Sequence, residues 1–126
     1  MSAALWFKRQ IHTFTEKTDN FLLLAPTFPI MQQSALPYFL NAMSGYGTHN
    51  KAEREFKLHS GGIVYLRTAT DPDSIVGVPN VKAYWLDEAG KARLYFWENI
   101  QARAASKGAR GLLTTSPYGR NWLYKD

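Results

Sequence analysis

Residues 81–90, VKAYWLDEAG, constrain the fold of this chain more than any other stretch of it. An apolar run of this length, bounded by turn residues, is typical of a strand buried on both faces of a sheet. The run ends in two adjacent carboxylates, Asp87 and Glu88, and an unpaired buried carboxylate is costly to remove from water. The carboxylates therefore fit best where the carboxyl end of a parallel strand opens into a ligand crevice.

Two carboxylates at a strand end predict a division of tasks. Because side chains alternate faces along a strand, Asp87 and Glu88 are expected to point in different directions. One would hold hydrated Mg²⁺, which prefers oxygen ligands, and the other would orient or deprotonate a water molecule. Hydrolysis of a nucleoside triphosphate needs both tasks. Two solvated acids in a turn are the alternative, and the pair alone favours that alternative.

A second group of polar side chains follows about 27 residues later, where the strand LLTT ends in Thr114, Thr115 and Ser116. In a βαβ unit this spacing can bring the two strand ends side by side at one edge of the sheet. Hydroxyl groups there could bind a phosphate oxygen or the attacking water and respond to the γ-phosphate. The alternative is that these residues only close a strand and cap a turn before a proline.

Composition indicates one globular domain and excludes several classes of site. The chain has 126 residues, 45% of them hydrophobic, and no cysteine, so disulfides and thiolate chemistry are excluded. The histidines His12, His49 and His59 are scattered without a metal-ligand spacing, and we interpret them as surface or packing residues. No apolar run approaches the roughly 20 residues of a membrane span, and no signal peptide is recognisable. The net charge of +5 permits contact with a polyanion such as DNA without requiring it.

The first half of the chain predicts helices on either side of one short strand. Residues 2–17 place apolar side chains at i, i+3, i+4 and i+7 spacing after a serine cap. Residues 21–25, FLLLA, predict a buried strand closed by a proline. A helix over residues 30–43 is expected to kink, or to divide into two short helices, at Pro37.

The second half predicts a hairpin, a helix and a strand around the acidic segment. Residues 53–59 and 63–67 flank a Ser-Gly-Gly turn and predict a β-hairpin. A helix is predicted over residues 94–107, a buried strand over 111–115, and the start of another helix over 119–124. Strands that alternate with helices, apart from one inserted hairpin, indicate an α/β fold with a mainly parallel sheet.

The order of five segments along the chain is more specific than any one of them: FLLLAPTFPIMQQSALPYF, IVYLRTA, DPDSIVG, YWLDEAG and LLTTSPYGRNWLY. This ordered set resembles the ATPase domain of the large terminase subunit of tailed bacteriophages over nearly the whole chain. The resemblance implies an incomplete RecA-like P-loop NTPase fold, a three-layer sandwich with a mainly parallel sheet and an inserted β-hairpin. It also implies part of an ATP-driven motor that moves double-stranded DNA into the capsid.

The resemblance assigns roles to the polar residues at the two strand ends. Asp87 would be the Walker B ligand of Mg²⁺ and Glu88 the catalytic carboxylate. A coupling motif that senses ATP would consist of Thr114, Thr115 and Ser116. The implied partners are double-stranded DNA, a portal protein, a small terminase subunit and further copies of the chain in a ring, with no membrane, in the cytoplasm of an infected or lysogenic bacterial host.

The chain departs from the family pattern at three points. The phosphate-binding sequence G-x-x-x-x-G-K-[ST] does not occur, and the only Gly-Lys pair, Gly90-Lys91, lacks its other residues. The resemblance covers the ATPase domain alone, and we expect no part of the family's nuclease domain within these 126 residues. Val76 occupies a position where some members carry an arginine, so no arginine finger is assigned, and we interpret Arg67 as structural in preference to phosphate-binding. We therefore expect little or no ATPase activity from this chain alone, because much of the electrostatic stabilisation of phosphoryl transfer comes from the absent motif.

Two other interpretations remain open at this point. A helicase-type ATPase fragment would also carry an acidic strand end followed by a hydroxyl strand end. A non-catalytic α/β module could bind DNA through its positive charge, with the acids and hydroxyls in ordinary surface turns. The inserted hairpin and the SPYGRNWLY segment favour the terminase interpretation.

Overall fold

The fold is built on a single seven-stranded sheet. A computed structural model describes residues 2–70, 75, 77–88 and 108–114 and the backbone of 122–125. The described strands are β1 (Asn20–Ala25), β2 (Gly47–Asn50), β3 (Glu55–Leu58), β4 (Ile63–Thr68), β5 (Val81–Leu86), β6 (Arg110–Thr114) and β7 (Trp122–Lys125). They lie in the order β2-β3-β4-β1-β5-β6-β7.

The four central strands are parallel, as expected for an α/β fold. β1 pairs with β4 on one side and with β5 on the other, and β5 pairs with β6. All six residues of β1 are buried because elements cover both faces of the sheet, which explains the uninterrupted apolar sequence. We call the end where these strands begin, at Ile63, Asn20, Val81 and Arg110, the amino edge, and the opposite end, at Thr68, Ala25, Leu86 and Thr114, the carboxyl edge.

Three helices cover one face of the sheet: α1 (Ala3–Thr13), α2 (Phe28–Gln33) and α3 (Ala35–Ala42). The Ser2 hydroxyl accepts a hydrogen bond from the Leu5 amide and so caps α1, and Thr27 caps α2 in the same way. The predicted helix over 30–43 is indeed divided into two, but the break falls at Ser34. Pro37 lies in the first turn of α3, where a missing amide hydrogen costs nothing.

Aromatic side chains join this helical layer to the sheet. The Phe7 ring of α1 lies 6.4 Å from the ring of Phe21 on β1, 5.7 Å from Phe39 on α3 and 6.2 Å from Trp85 on β5. All four side chains are buried in one apolar cluster. Each such aromatic pair contributes roughly 0.5–1.5 kcal/mol beyond simple burial. The cluster fixes α1 above β5, the strand that the two carboxylates follow.

The predicted hairpin is present, and the structure adds a strand to it. β3 and β4 pair antiparallel, and β2 pairs antiparallel with β3 at the edge of the sheet. Sequence analysis did not predict β2, because Gly47–Asn50 carries no alternating apolar pattern. Its place depends instead on close packing, since a Cβ atom at Gly47 would lie 2.5 Å from the Phe56 ring.

The prediction of a helix starting within residues 119–124 is wrong. Trp122–Lys125 forms β7, which pairs antiparallel with the outer side of β6. Free hydrogen-bonding groups on that side of β6 favour an extended partner over a helical turn. The helix predicted over residues 94–107 lies outside the described residues. On that second face of the sheet, Ile75 packs with Leu22, Leu24 and Tyr84. Within the described ranges, no helix has the length and apolar character needed to cross a membrane.

Candidate active site

Asp87 and Thr114 meet at the carboxyl edge of the sheet because β5 and β6 are adjacent and parallel. The register pairs Leu86 with Leu113, so the next residue of each strand reaches the same edge. The Asp87 amide donates a 2.8 Å hydrogen bond to the Leu24 carbonyl and so ties this position to β1 as well. The predicted meeting of the two strand ends is therefore confirmed for Asp87 and Thr114, the last described residue of that segment.

A buried hydrogen-bonded chain of three side chains holds the Asp87 carboxylate. Trp85 Nε1 donates to Thr114 Oγ1 over 2.9 Å, and Thr114 Oγ1 lies 2.9 Å from Asp87 Oδ1. Indole nitrogen can only donate, so the threonine hydroxyl accepts from Trp85 and has its own proton available for Asp87. Since Trp85 belongs to the aromatic cluster under α1, the carboxylate is anchored through the core of the protein.

The second oxygen of Asp87 has no such support. Asp87 Oδ2 is buried and has no hydrogen-bond partner among the described residues, and the residue is 5% exposed. An unsatisfied buried carboxylate oxygen is expensive, and native structures rarely retain one without a reason. A hard divalent cation prefers such an oxygen ligand. One fixed oxygen beside one free oxygen is therefore a fitting arrangement for a metal ligand.

Glu88 lies directly after Asp87, but not on the strand. β5 ends at Leu86, and both carboxylates belong to the turn that follows, so the expectation that they alternate faces of a strand does not apply. Glu88 is buried and adopts a left-handed backbone with φ of 55°. This conformation is unfavourable for a residue with a side chain and occurs most often in turns and functional sites. The turn keeps both carboxylates at the carboxyl edge.

The other predicted site residues divide into one that is placed and three that are not. Thr115, Ser116 and Val76 lie outside the described residues. The coupling role of Thr115 and Ser116 therefore stays a prediction, as does the absence of an arginine finger at Val76. Arg67 is placed on β4: its Nη1 donates to the Arg54 and Leu66 carbonyls, both over 3.0 Å, and its guanidinium lies 5.0 Å from the Tyr65 ring centre. These contacts support the structural interpretation of Arg67.

Sequence analysis missed Trp85 as part of the site. An indole on a buried strand is indistinguishable in the sequence from any other core aromatic residue. Only the register of β5 against β6 shows that its nitrogen reaches Thr114. It also missed the hydroxyl pair at the end of β4, where Thr68 Oγ1 lies 2.8 Å from Thr70 Oγ1. Within the described part of the chain, no three histidine or carboxylate side chains group into a metal site of their own.

Burial shifts the pKa of Tyr84 on β5 and of His49 on β2. Burial raises the pKa of the Tyr84 phenol to about 12, and its hydroxyl has no partner among the described residues. The ring stands against the backbone of β6, where a Cβ atom at Gly111 would come within 2.1 Å of it. Burial, followed by the positive charge of Lys51, lowers the pKa of His49 on the edge strand β2.

Three solved structures with this fold are phage terminases. The large terminase from a thermophilic bacteriophage matches with a TM-score of 0.72 and 17% identity, over 90% of this chain and 30% of its own. The large terminase ATPase domain of Thermus phage P74-26 matches with a TM-score of 0.65 and 14% identity, over 91% of this chain and 53% of its own. A mutant form of that domain matches with a TM-score of 0.62 and 15% identity, over 90% of this chain and 54% of its own.

These matches show the fold of the chain and the share of each matched chain that it covers. The chain has the RecA-like α/β fold of phage large terminase ATPase domains, and it spans between about a third and about half of the length of the matched chains. No protein-family model and no curated protein sequence matches the chain.

Proposed function

We propose that this chain is part of the large terminase subunit of a tailed bacteriophage, the ATP-driven motor for packaging double-stranded DNA. The observation that carries the proposal is the state of Asp87, which is held on Oδ1 by Thr114 while Oδ2 is buried without a described partner. This carboxylate stands at the carboxyl ends of adjacent parallel strands, in a fold shared with phage terminase ATPase domains. Ligands of α/β sheets bind at this edge.

Asp87 is the residue that would hold Mg²⁺. Oδ2, which has no hydrogen-bond partner among the described residues, would supply the oxygen, while the hydrogen bond from Thr114 keeps the carboxylate from rotating away. Mg²⁺ is commonly bound by one or two carboxylates together with the phosphates of the substrate. When bound, the cation neutralises charge that develops on the phosphate oxygens.

Glu88 is the proposed catalytic carboxylate, which orients and deprotonates the attacking water. Thr114 is the proposed sensor, because it bonds directly to the residue assigned to the metal and lies on the neighbouring strand. Thr115 and Ser116 would complete the coupling motif. In this proposal hydrolysis drives DNA movement together with a portal protein, a small terminase subunit and further copies of the chain.

The proposed metal role of Asp87 is tested by Mn²⁺ binding in the presence of ATP, followed by electron paramagnetic resonance. Asp87→Asn removes the charged ligand and should weaken Mn²⁺ binding by more than the 10- to 100-fold typical of losing an outer-shell partner. Glu16→Gln is the matched control, because it removes an exposed carboxylate at the other edge of the sheet. Equal Mn²⁺ affinity in wild type and Asp87→Asn would contradict the assignment.

Turnover is a separate question. The 126 residues contain no G-x-x-x-x-G-K-[ST] sequence, whose amides and lysine bind the β- and γ-phosphates. Purified chain should therefore hydrolyse Mg-ATP near the background rate, and Glu88→Gln should leave that rate unchanged. Turnover well above background that Glu88→Gln abolishes would show that these residues form a complete site by themselves.

A further inference from the structure

The amino edge of the sheet carries a group of cations that have no ionic partner among the described residues. We call Lys8, Lys17, Lys82 and Arg110 the basic edge. None of the four forms an ion pair with a carboxylate of the described residues, whereas Lys57 pairs with Glu53 over 3.6 Å in the hairpin. Unpaired charge that is concentrated at one end of a domain is a typical footprint of a polyanion partner.

Contacts with neighbouring side chains place these four cations together around the end of α1. Lys8 Nζ lies 4.8 Å from the Tyr46 ring centre, and the side chain of Lys17 packs on Gly61, just before β4. On the other flank, Lys82 Nζ and Arg110 Cζ lie 6.0 Å and 5.4 Å from the Phe14 ring centre. Arg110 Nη1 also donates to Gln10 Oε1 over 3.1 Å, which fixes its direction.

Among the described residues, two carboxylates stand near this edge, Asp19 and Glu16, and the four cations outnumber them. Asp19 is buried and uses both oxygens internally, accepting from the Glu16 amide over 3.1 Å and from Asn80 Nδ2 over 3.2 Å. Glu16 is exposed and makes no ion pair with the described residues. The aromatic rings hold two of the lysines and Arg110 in place, so less side-chain freedom is lost when an anion binds.

The spacing of the basic edge fits the backbone of a nucleic acid duplex. From the start of β4 to the start of β6 the edge crosses β1 and β5, and three strand spacings amount to about 14 Å. The major groove, which separates the two phosphate strands of DNA, is about 12 Å wide. Long lysine and arginine side chains along this edge can therefore reach phosphates on both sides of the groove.

We propose that the basic edge is a contact surface for the phosphate backbone of double-stranded DNA, opposite the nucleotide edge of the same sheet. The choice of DNA as the polyanion rests on the proposed function, while the surface itself follows from charge and spacing. The arrangement separates the two anionic ligands of a motor: nucleotide phosphates at the carboxyl edge and DNA phosphates at the amino edge. No base edge needs to be read, so binding is independent of sequence.

The test is the salt dependence of duplex binding, measured by fluorescence anisotropy without nucleotide or metal. Four phosphate contacts predict a slope of log affinity against log salt of about −3.6, since each contact contributes about −0.9. The double variant Lys17→Gln/Lys82→Gln should reduce the steepness of the slope by about 2. The matched control, Lys51→Gln/Arg54→Gln, removes the same charge from exposed positions in the β2–β3 turn and should leave the slope nearly unchanged.

Further variants keep the test decisive if the double variant folds poorly. Lys17→Gln alone changes one exposed side chain and should reduce the steepness by about 1, and Arg110→Lys keeps the charge and should preserve the slope. Equal losses in the edge and control variants, or no duplex binding at about 50 mM salt, would overturn the proposal. Equally tight binding of polyglutamate would overturn the assignment of DNA. Because metal is absent from the assay, failure of the Asp87 assignment leaves the result intact.

Discussion

Asp19 and Asp87 are both buried next to a strand of the same sheet, yet their surroundings differ in the way that separates a folding residue from a ligand-binding one. Asp19 precedes β1 at the amino edge, and both of its oxygens accept hydrogen bonds from the protein. Asp87 follows β5 at the carboxyl edge, and one of its oxygens has no partner among the described residues. A carboxylate that serves only the fold uses all of its acceptors, whereas one that serves a ligand keeps an acceptor available.

The largest stability effect is expected from removing the fully bonded aspartate. Asp19→Ala removes two hydrogen bonds to a charged group and should lower the free energy of unfolding by about 3 kcal/mol, at roughly 1.5 kcal/mol each. Urea unfolding measures this value. Glu16→Ala is the control, because it keeps the backbone amide that Asp19 binds and removes only an exposed carboxylate. If Asp19→Ala lowered the free energy of unfolding by less than Glu16→Ala does, Asp19 would not be a residue that stabilises the fold.

Thr114→Val should have the next largest effect, because it removes the link between the core and Asp87. Valine has nearly the same shape, but it leaves Trp85 Nε1 and Asp87 Oδ1 without their partner in a buried place. The expected cost is about 2 kcal/mol in urea unfolding. If the three side chains act as one chain, Trp85→Phe should cost less in the Thr114→Val background than in wild type. Additive effects of the two substitutions would rule out that coupling.

Asp87→Asn should change stability little, and in the opposite direction. The amide can still accept from Thr114, while the buried charge and its desolvation disappear, so the free energy of unfolding should stay equal or rise by up to about 1 kcal/mol. Loss of Mn²⁺ binding in the same stable variant would then support Asp87 as a metal ligand and not a residue that stabilises the fold. A loss of 3 kcal/mol, similar to that of Asp19→Ala, would place the two aspartates in one class.

The smallest expected effect concerns pH and His49. Burial and Lys51 lower the pKa of this imidazole below its ordinary 6.5, so the unfolded chain binds a proton more readily than the folded protein. The contribution of His49 to stability is therefore fully present above pH 6.5 and declines as the pH falls through 6.5 towards the lowered folded pKa. His49→Gln should flatten that decline by a few tenths of a kcal/mol. If His49→Gln left the pH profile of unfolding unchanged, the lowered pKa of His49 would be contradicted.

The elements that the sequence predicted well are those whose own residues decide their conformation. β1 and β5 are mostly apolar runs that favour a strand buried on both faces, and both were expected within one residue. α1 has a cap and a helical apolar pattern, and the hairpin has its own turn. The pairing of Asp87 with Thr114 was also predictable, because parallel strands bring their carboxyl ends to one edge.

The elements that the sequence did not predict depend on their neighbours. β2 and β7 pair with strands already present in the sheet, so their extended conformation is a tertiary effect that local propensity does not contain. The role of Asp19 depends on its contact with Asn80, 61 positions away, which the local sequence does not show. Trp85 needed the register of two strands before its indole could be assigned to the site.

The backbone of Glu88 has a consequence for how this chain would respond to selection for stability alone. With φ of 55°, the position suits glycine, and most residues with a side chain there cost roughly 1–2 kcal/mol. Glu88→Gly should relieve that strain, but it also gives up the carboxylate and the contacts of this buried side chain. Backbone strain alone would favour glycine at this position, whereas the proposed catalytic role would require glutamate.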